Sequence, residues 1–141
     1  MQIRRAAAAD ADAIFAMLER FATSYEPERN AFASSVAAMI DSQDVALFVA
    51  DSGGTLAGYV MAVQFRTLFA NGVVVQIEEL FVEEAKRSAG TGRALVAAVV
   101  EWARQRGAVE VTVPTRLAGA YYERLGFERT AEYYHAVLAQ V

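Results

Sequence analysis

Residues 73–95 read VVVQIEELFVEEAKRSAGTGRAL, and this stretch decides the fold. Its first ten residues, Val73 to Val82, are rich in β-branched side chains and predict a long strand. From Gly92 to Arg106 the apolar residues recur at helical spacing, and Gly107 stands where a helix C-cap belongs. The stretch therefore predicts a strand, a glycine-containing loop and a helix in succession.

The loop Arg87-Ser88-Ala89-Gly90-Thr91-Gly92 has the composition of an anion-binding loop. Glycine permits positive φ, so that several backbone N–H groups can converge on one anion, and the following helix adds its unpaired N-terminal amides. Arg87 and Arg93 can add charge-assisted hydrogen bonds to phosphate. A P-loop would need Gly-Lys-Ser/Thr before the helix, and a Rossmann fingerprint a small residue where Leu95 stands. Both nucleotide-binding patterns therefore fail.

A first strand, two helices and a hairpin are predicted before this stretch. Asp10 or Asp12 can cap the first helix, and the second follows Pro27, which suits a first helical turn. Val45 to Ala50 and Leu56 to Phe65 predict strands on either side of a glycine-containing turn.

Three further elements are predicted downstream: a short strand at Val109 to Val113, a short helix at Leu117 to Leu125 and a terminal strand at Glu132 to Gln140. The order of hairpins and one strand-helix-strand unit predicts an α/β (α+β) fold in a single domain, residues 1–141. We expect a mixed, mostly antiparallel sheet with helices on both of its faces.

Composition excludes several classes of function. The chain has no cysteine and a single histidine, His135, so no disulfide, thiol nucleophile or metal site is expected. The net charge of −4 argues against nucleic acid as a partner. No apolar run reaches the ~18 to 20 residues that span a bilayer, and no secretory segment begins the chain. We therefore expect no membrane partner and a cytoplasmic location.

Two segments of the sequence point to one family. Ile77 to Val82, followed by Arg87 to Leu95, resembles the acyl-CoA-binding core of the GNAT superfamily of N-acetyltransferases. Ala120 to Phe127, AYYERLGF, resembles the FYE-x-x-GF segment of the same family. The resemblance covers nearly the whole chain. It implies a sheet of six to seven strands, splayed at the fourth strand by a bulge.

The resemblance also implies acetyl-CoA as the cofactor and a set of residues that bind it. Backbone groups of Leu80, Phe81 and Val82 would pair with the pantetheine arm. The pyrophosphate would bind the loop, at Arg87, Ser88, Gly90, Thr91, Gly92 and Arg93. Thr115 stands where many members have asparagine, and Tyr122 would contact the thioester end.

Two residues are candidates for the chemistry of acyl transfer. A carboxylate can accept the proton that an amine loses, and the resemblance favours Glu78 as this base. Glu79 and water alone remain alternatives. Because side chains alternate along a strand, Glu78 and Glu79 are expected to point to opposite faces. Tyr122 matches the family's general acid, which would protonate the departing thiolate.

The resemblance implies a primary amine of a small molecule or peptide as the acceptor, and dimers are common in the family, so a homodimer is one option. Candidate acceptor-binding residues are Phe21, Tyr25, Glu78 and Tyr133, with Phe65 and Tyr134 as further aromatic candidates. The competing interpretation is a non-catalytic GNAT-like module that binds or senses acyl-CoA.

Overall fold

The computed structural model describes residues 1–21, 25–87, 89–116 and 118–138 of the chain. Over these ranges the order of elements is the predicted one, except at the C-terminus. The elements are β1 (Gln2–Arg5), α1 (Ala11–Phe21), α2 (Arg29–Asp41), β2 (Val45–Ser52), β3 (Thr55–Thr67), β4 (Gly72–Val82), α3 (Thr91–Gln105), β5 (Glu110–Thr112) and α4 (Gly119–Arg124). None of the helices in these ranges has the length and apolar content that crossing a membrane requires.

The strands form one sheet in the order β1-β2-β3-β4-β5. The first four strands pair antiparallel, and β5 pairs with β4 in parallel. The parallel pair arises because α3 crosses over between the two strands. The predicted mixed, mostly antiparallel sheet is therefore confirmed.

Two apolar clusters cover the two faces of the sheet. One contains Leu95 and Val99 of α3, and we call this side the α3 face. The other contains Ile14 of α1 and Val36 of α2 with Tyr59 of β3, and we call it the α1–α2 face. The prediction of helices on both faces is confirmed.

β4 contains a β-bulge at Glu78. Met61 of β3 pairs with Glu79, whereas the neighbouring Ala62 pairs with Ile77, so Glu78 has no partner in β3. A bulge adds one residue to one strand and bends that strand. The bulge expected in the fourth strand is thus confirmed.

The start of α1 differs from the prediction. Asp10 belongs to a single 3-10 turn before α1, and its carboxylate turns back to accept a hydrogen bond from Ala7 N at 2.7 Å. The same carboxylate accepts two hydrogen bonds from the Arg4 guanidinium, at 2.8 and 2.9 Å. Asp10 therefore ties β1 to the turn before α1, because a buried carboxylate needs partners of opposite charge.

The predicted count of six to seven strands is wrong, since the described ranges contain five. Residues 132–138, the described part of the predicted strand Glu132 to Gln140, form no strand and are exposed. Gln140 itself lies outside the described residues. β-branched and aromatic residues form a strand only when a neighbouring strand and a buried face stabilise them, and this segment has neither.

Candidate active site

β4 extends beyond the strand that pairs with it. β5 ends at Thr112, which pairs with Gln76, and the remainder of β4, Ile77 to Val82, continues past this end. The bulge at Glu78 begins where the pairing stops. The edge of β4 that includes Leu80, Phe81 and Val82 is therefore not covered by β5, which is the splayed arrangement expected from the sequence.

Glu78 and Glu79 lie on the same face of the sheet, and the prediction of opposite faces is wrong. Glu79 pairs with Met61, and Gln76 pairs with Val63. Met61 and Val63 belong to the apolar cluster of the α1–α2 face, so Glu79 and Gln76 point to that face as well. The Glu78 carboxylate lies beside Gln76, whose Nε2 donates to Glu78 Oε1 at 2.6 Å. The bulge interrupts the alternation of side chains, and it places two carboxylates together where a regular strand would separate them.

A chain of hydrogen bonds links β5 to the bulge. Thr112 Oγ1 donates to Gln76 Oε1 at 3.0 Å, and the amide of Gln76 then donates to Glu78. Because Gln76 is engaged through both ends of its amide, its orientation is fixed by its partners. Glu78 itself is exposed, so its second oxygen can reach solvent or a ligand.

Glu79 has a different partner. The hydroxyl of Tyr59, a residue that is only 2% exposed, donates to Glu79 Oε1 at 2.7 Å. The Tyr59 ring stacks on Phe81, with the ring centroids 6.4 Å apart, and Phe81 meets Phe21 edge to face at 6.0 Å. The carboxylate of Glu79 is thus attached to an aromatic layer that reaches α1.

The glycine-containing loop leads into the N-terminus of α3. Gly90 is the N-cap with φ of 84° and supplies no side-chain cap. The first intrahelical bond is donated by Ala94 N to Gly90 O at 3.0 Å, which leaves the amides of Thr91, Gly92 and Arg93 without helical partners. Such amides attract an anion.

Two of the predicted loop residues, Thr91 and Arg87, already have partners within the chain. Thr91 is 2% exposed and its hydroxyl donates to Met1 Sδ at 3.5 Å, so this hydroxyl already has a partner within the chain. Arg87 Nε donates to the carbonyl of Val82 at 3.0 Å, across the open edge of β4. Ser88 lies outside the described residues.

The two glycines of the loop serve different purposes. Gly90 has the positive φ that only glycine adopts readily. Gly92 does not have a positive φ, but a β-carbon there would meet the hydroxyl of Tyr121. Positive φ therefore explains the glycine at residue 90, whereas at residue 92 the reason is space.

Tyr122 is in the core beside α3, and only 7% of it is exposed. Its ring meets Tyr121 at 5.3 Å and Phe127 at 5.7 Å, both edge to face. Burial raises the pKa of the Tyr122 phenol to about 12. The phenol therefore stays protonated at neutral pH and is a hydrogen-bond donor.

Thr115 has a structural partner. Its Oγ1 accepts a hydrogen bond from Ala118 N at 3.1 Å, in the turn that leads into α4. A threonine hydroxyl commonly stabilises a turn in this way. Thr115 therefore positions α4, whatever further contact its hydroxyl makes.

The aromatic candidates for the acceptor site separate into two groups. Phe21 is 37% exposed and contacts Phe81 on the α1–α2 face. Tyr25 and Tyr133 are 48% and 69% exposed, and Tyr133 lies in the segment that forms no strand. Of these three, Phe21 is the one that the structure joins to the aromatic layer beneath the bulge.

Three residues of the site were missed by sequence reasoning: Gln76, Tyr59 and Tyr121. Gln76 is the polar residue in the otherwise apolar run Val73 to Ile77, and that polarity was a usable signal. Tyr59 and Tyr121 offered no comparable signal, because a tyrosine in an apolar segment is usually core.

The sequence profile of the Acetyltransferase (GNAT) family matches residues 11–127. This chain therefore belongs to the GNAT family of acetyltransferases, and the resemblance found in its two motifs is confirmed.

Curated relatives match over different lengths. N-acetyltransferase 8 of Rattus norvegicus is 32% identical over 95 residues, which are 64% of this chain and 43% of the rat protein. An uncharacterized N-acetyltransferase, YhfO, of Bacillus subtilis (strain 168) is 24% identical over 144 residues, which are 98% of this chain and 97% of that protein. The chain thus spans less than half the length of the rat relative and nearly all of the bacterial one.

Solved structures share the fold over almost the entire chain. A transcriptional regulator from Bacillus halodurans C-125 superposes with a TM-score of 0.88 at 23% identity, covering 97% of this chain and 99% of that one. An aminoglycoside N-acetyltransferase in complex with CoA superposes with a TM-score of 0.81 at 19% identity, covering 98% and 99%. At these identities the likeness establishes the fold.

Proposed function

We propose that this chain transfers an acetyl group from acetyl-CoA to a primary amine of a small molecule or peptide, by direct attack of the amine. One observation carries the proposal: pairing between β4 and β5 stops at Gln76, where the bulge brings Glu78 and Glu79 together. This opening between two strands lies next to a carboxylate pair, so a thioester held in the opening would meet an amine held by the carboxylates.

The residues around the opening fit an acyl-CoA. The outward-facing backbone groups of Leu80 and Val82, on either side of Phe81 whose carbonyl faces β3, can pair with an amide-containing arm, since an unpaired strand edge binds extended ligands. The amides in the first turn of α3, at Thr91, Gly92 and Arg93, suit a pyrophosphate, and the Arg87 and Arg93 guanidinium groups add positive charge. Val82 O is occupied by Arg87 in this structure, so Arg87 exchanges that carbonyl for phosphate in the proposed complex.

Glu78 is the proposed base. When bound, acetyl-CoA supplies an activated acetyl group, and the C–N bond to the amine forms as the C–S bond breaks. An alkyl ammonium group has a pKa of about 10, so it must lose a proton before it can attack. The exposed Glu78 carboxylate, held by Gln76, accepts that proton directly or through water.

Tyr122 is the proposed hydrogen-bond donor to the departing sulfur. A thiol has a pKa of about 8.5, whereas burial holds the pKa of Tyr122 at about 12. Transfer of the phenol proton to a thiolate is therefore uphill, and the phenol stabilises the thiolate by donating a hydrogen bond. The nitrogen loses a second proton as the C–N bond forms, and this proton reaches the sulfur, while the first proton passes from Glu78 to solvent.

The binding experiment measures thermal shifts with acetyl-CoA, coenzyme A, NAD and ATP. We expect stabilisation by the two coenzymes only, and no shift with either coenzyme would remove the proposal. A thiol-release assay then tests transfer to spermidine, kanamycin, glucosamine 6-phosphate, lysine and a lysine-containing peptide. A shift without release from any amine would favour a non-catalytic acyl-CoA-binding module.

A further inference from the structure

Tyr59 connects the buried aromatic layer to the candidate active site through one hydrogen bond. We propose that Tyr59 is a positioning residue: its hydroxyl holds Glu79 so that the free oxygen of this carboxylate binds the ammonium group of the acceptor. The inference rests on the proposed function, and it gives Glu79 a task distinct from that of Glu78.

The hydroxyl of Tyr59 is not needed for packing. The Tyr59 ring stacks on Phe81 with an interplanar angle of 24°, and a phenylalanine ring would make the same contact. Burying a hydroxyl group is unfavourable unless it is paired, and this one is paired with a carboxylate. Burial and the neighbouring Glu79 charge raise the pKa of Tyr59 well above its ordinary value, so the hydroxyl donates at every working pH.

The Glu79 carboxylate keeps one oxygen for a ligand. Among the described residues the acidic partners of the ion pairs are Asp10, Asp51, Glu83 and Asp12, so no cation of the protein neutralises Glu79. Tyr59 engages Oε1, and Oε2 has no donor within the same ranges. A half-buried carboxylate with one fixed and one free oxygen suits a cationic group.

The neighbours of Glu79 favour an amine over other cations. Phe81, two residues along the same strand face, already has the Arg20 guanidinium 5.8 Å from its ring centroid, whereas Phe21, which contacts Phe81, is partly exposed and open to a ligand. Aromatic rings beside a carboxylate favour alkyl ammonium groups through cation–π attraction. Glu79 therefore binds the charged amine, and the adjacent Glu78 on the same face takes its proton.

The experiment compares Tyr59→Phe, Glu79→Gln and the double variant. The amine is the one in the panel above that binds the CoA complex most tightly by calorimetry, and its KM is measured beside this affinity. We expect Tyr59→Phe to weaken amine binding about three- to tenfold and Glu79→Gln about ten- to a hundredfold. KM for acetyl-CoA should stay within about twofold, and the double variant should match Glu79→Gln within about twofold.

Val36→Ala is the control for a loss of packing, because Val36 is buried in the same cluster as Tyr59 but belongs to α2, not to the strand that carries the two glutamates. It should lower Tm without changing amine binding. Amine binding that survives Tyr59→Phe, or losses that add in the double variant, would overturn the inference. If wild type binds the amine but releases no thiol, the transferase proposal fails. Loss of amine binding in Tyr59→Phe would still support the positioning role of Tyr59.

Discussion

The hydroxyl of Tyr121 occupies the space that a side chain on residue 92 would need. A β-carbon on Gly92 would lie 2.4 Å from Tyr121 Oη, 3.4 Å from its Cζ and 3.6 Å from a Val82 methyl group. The helix α4 is thus packed directly against the first turn of α3. The second glycine of the loop is required by this contact between helices, and the free amides beside it depend on the same contact.

Gly92→Ala should weaken coenzyme A binding by at least about tenfold, because the new methyl group displaces either Tyr121 or the first turn of α3. Adding Tyr121→Phe removes the hydroxyl at 2.4 Å and should restore much of the binding. Thermal shift with coenzyme A measures both. Gly90→Ala is the comparison: it has nothing within 4 Å but a φ of 84°, so Tyr121→Phe should not rescue it. Equal rescue of both variants would contradict the steric explanation.

Glu78→Gln should lower kcat/KM by about 10²- to 10⁴-fold, the range typical of a lost general base. The amide can still accept the hydrogen bond from Gln76, so the bulge should persist. The rate of thiol release as a function of pH measures the effect, and the acidic limb of the profile should disappear. Glu84→Gln, an exposed glutamate after β4, is the control. An unaltered profile in Glu78→Gln would mean that water or another group is the base.

Tyr122→Phe should lower kcat by about tenfold or more while KM for acetyl-CoA changes little, since a hydrogen bond to sulfur matters most in the transition state. Because the pKa of Tyr122 is raised to about 12, the wild-type rate should show no loss from phenol ionisation up to pH of about 11. Steady-state kinetics provide the measurement. A kcat equal to that of wild type would leave Tyr122 with a packing role alone.

The raised pKa of Tyr122 also predicts that the protein loses stability at alkaline pH. In the unfolded chain Tyr122 ionises near pH 10, whereas in the folded protein it keeps its proton to about 12. Its contribution to stability is therefore complete below pH 10 and is lost as the pH rises towards 12, at up to about 1.4 kcal/mol per pH unit. Urea unfolding across this range should show a shallower pH dependence in Tyr122→Phe. If the free energy of unfolding of Tyr122→Phe depended on pH as steeply as that of wild type, other tyrosines would be the cause of the alkaline loss of stability.

Asp10→Asn should lower the free energy of unfolding by about 1.5 to 3 kcal/mol, since it weakens hydrogen bonds between charged groups. Hydrogen bonds from Arg4 lower the pKa of Asp10, so its stabilisation is present above the ordinary carboxyl pKa and is lost as the pH falls. Urea unfolding at neutral and acidic pH measures both effects. Asp12→Asn is the control, because the Asp12 side chain is 96% exposed and should contribute little. A loss in Asp10→Asn that is equal at both pH values would contradict the charge explanation.

The elements that could be predicted from sequence are those with strong local periodicity. The β-branched run of β4 and the apolar spacing of α3 specify a strand and a helix without help from distant residues. The positions of Glu78 and Glu79 could not be derived in this way. Alternation predicts opposite faces, and only the pairing of β3 with β4, which shifts between Met61 and Ala62, reveals the same face.

The prediction of a C-terminal strand was wrong for a related reason. Tyr133, Tyr134 and Val137 have strand-forming side chains, but a strand needs a partner edge, and the sequence does not state whether one is available. The site residues that the sequence did identify lie in two motifs. Within each motif, residues that are close in sequence are also close in space. Tyr59 and Tyr121 act across the fold and therefore left no local pattern.

The bulge has a genetic consequence. On both sides of Glu78 the β3 and β4 residues keep a regular antiparallel register, and the two registers differ by this one residue. Deleting the codon of Glu78 would join the two registers, and Ile77 and Glu79 would each retain their present partner and face. The fold would survive, whereas one of the two carboxylates on this face would be gone. A lineage could therefore lose or regain this half of the acidic pair through one in-frame event, without rebuilding the sheet around it.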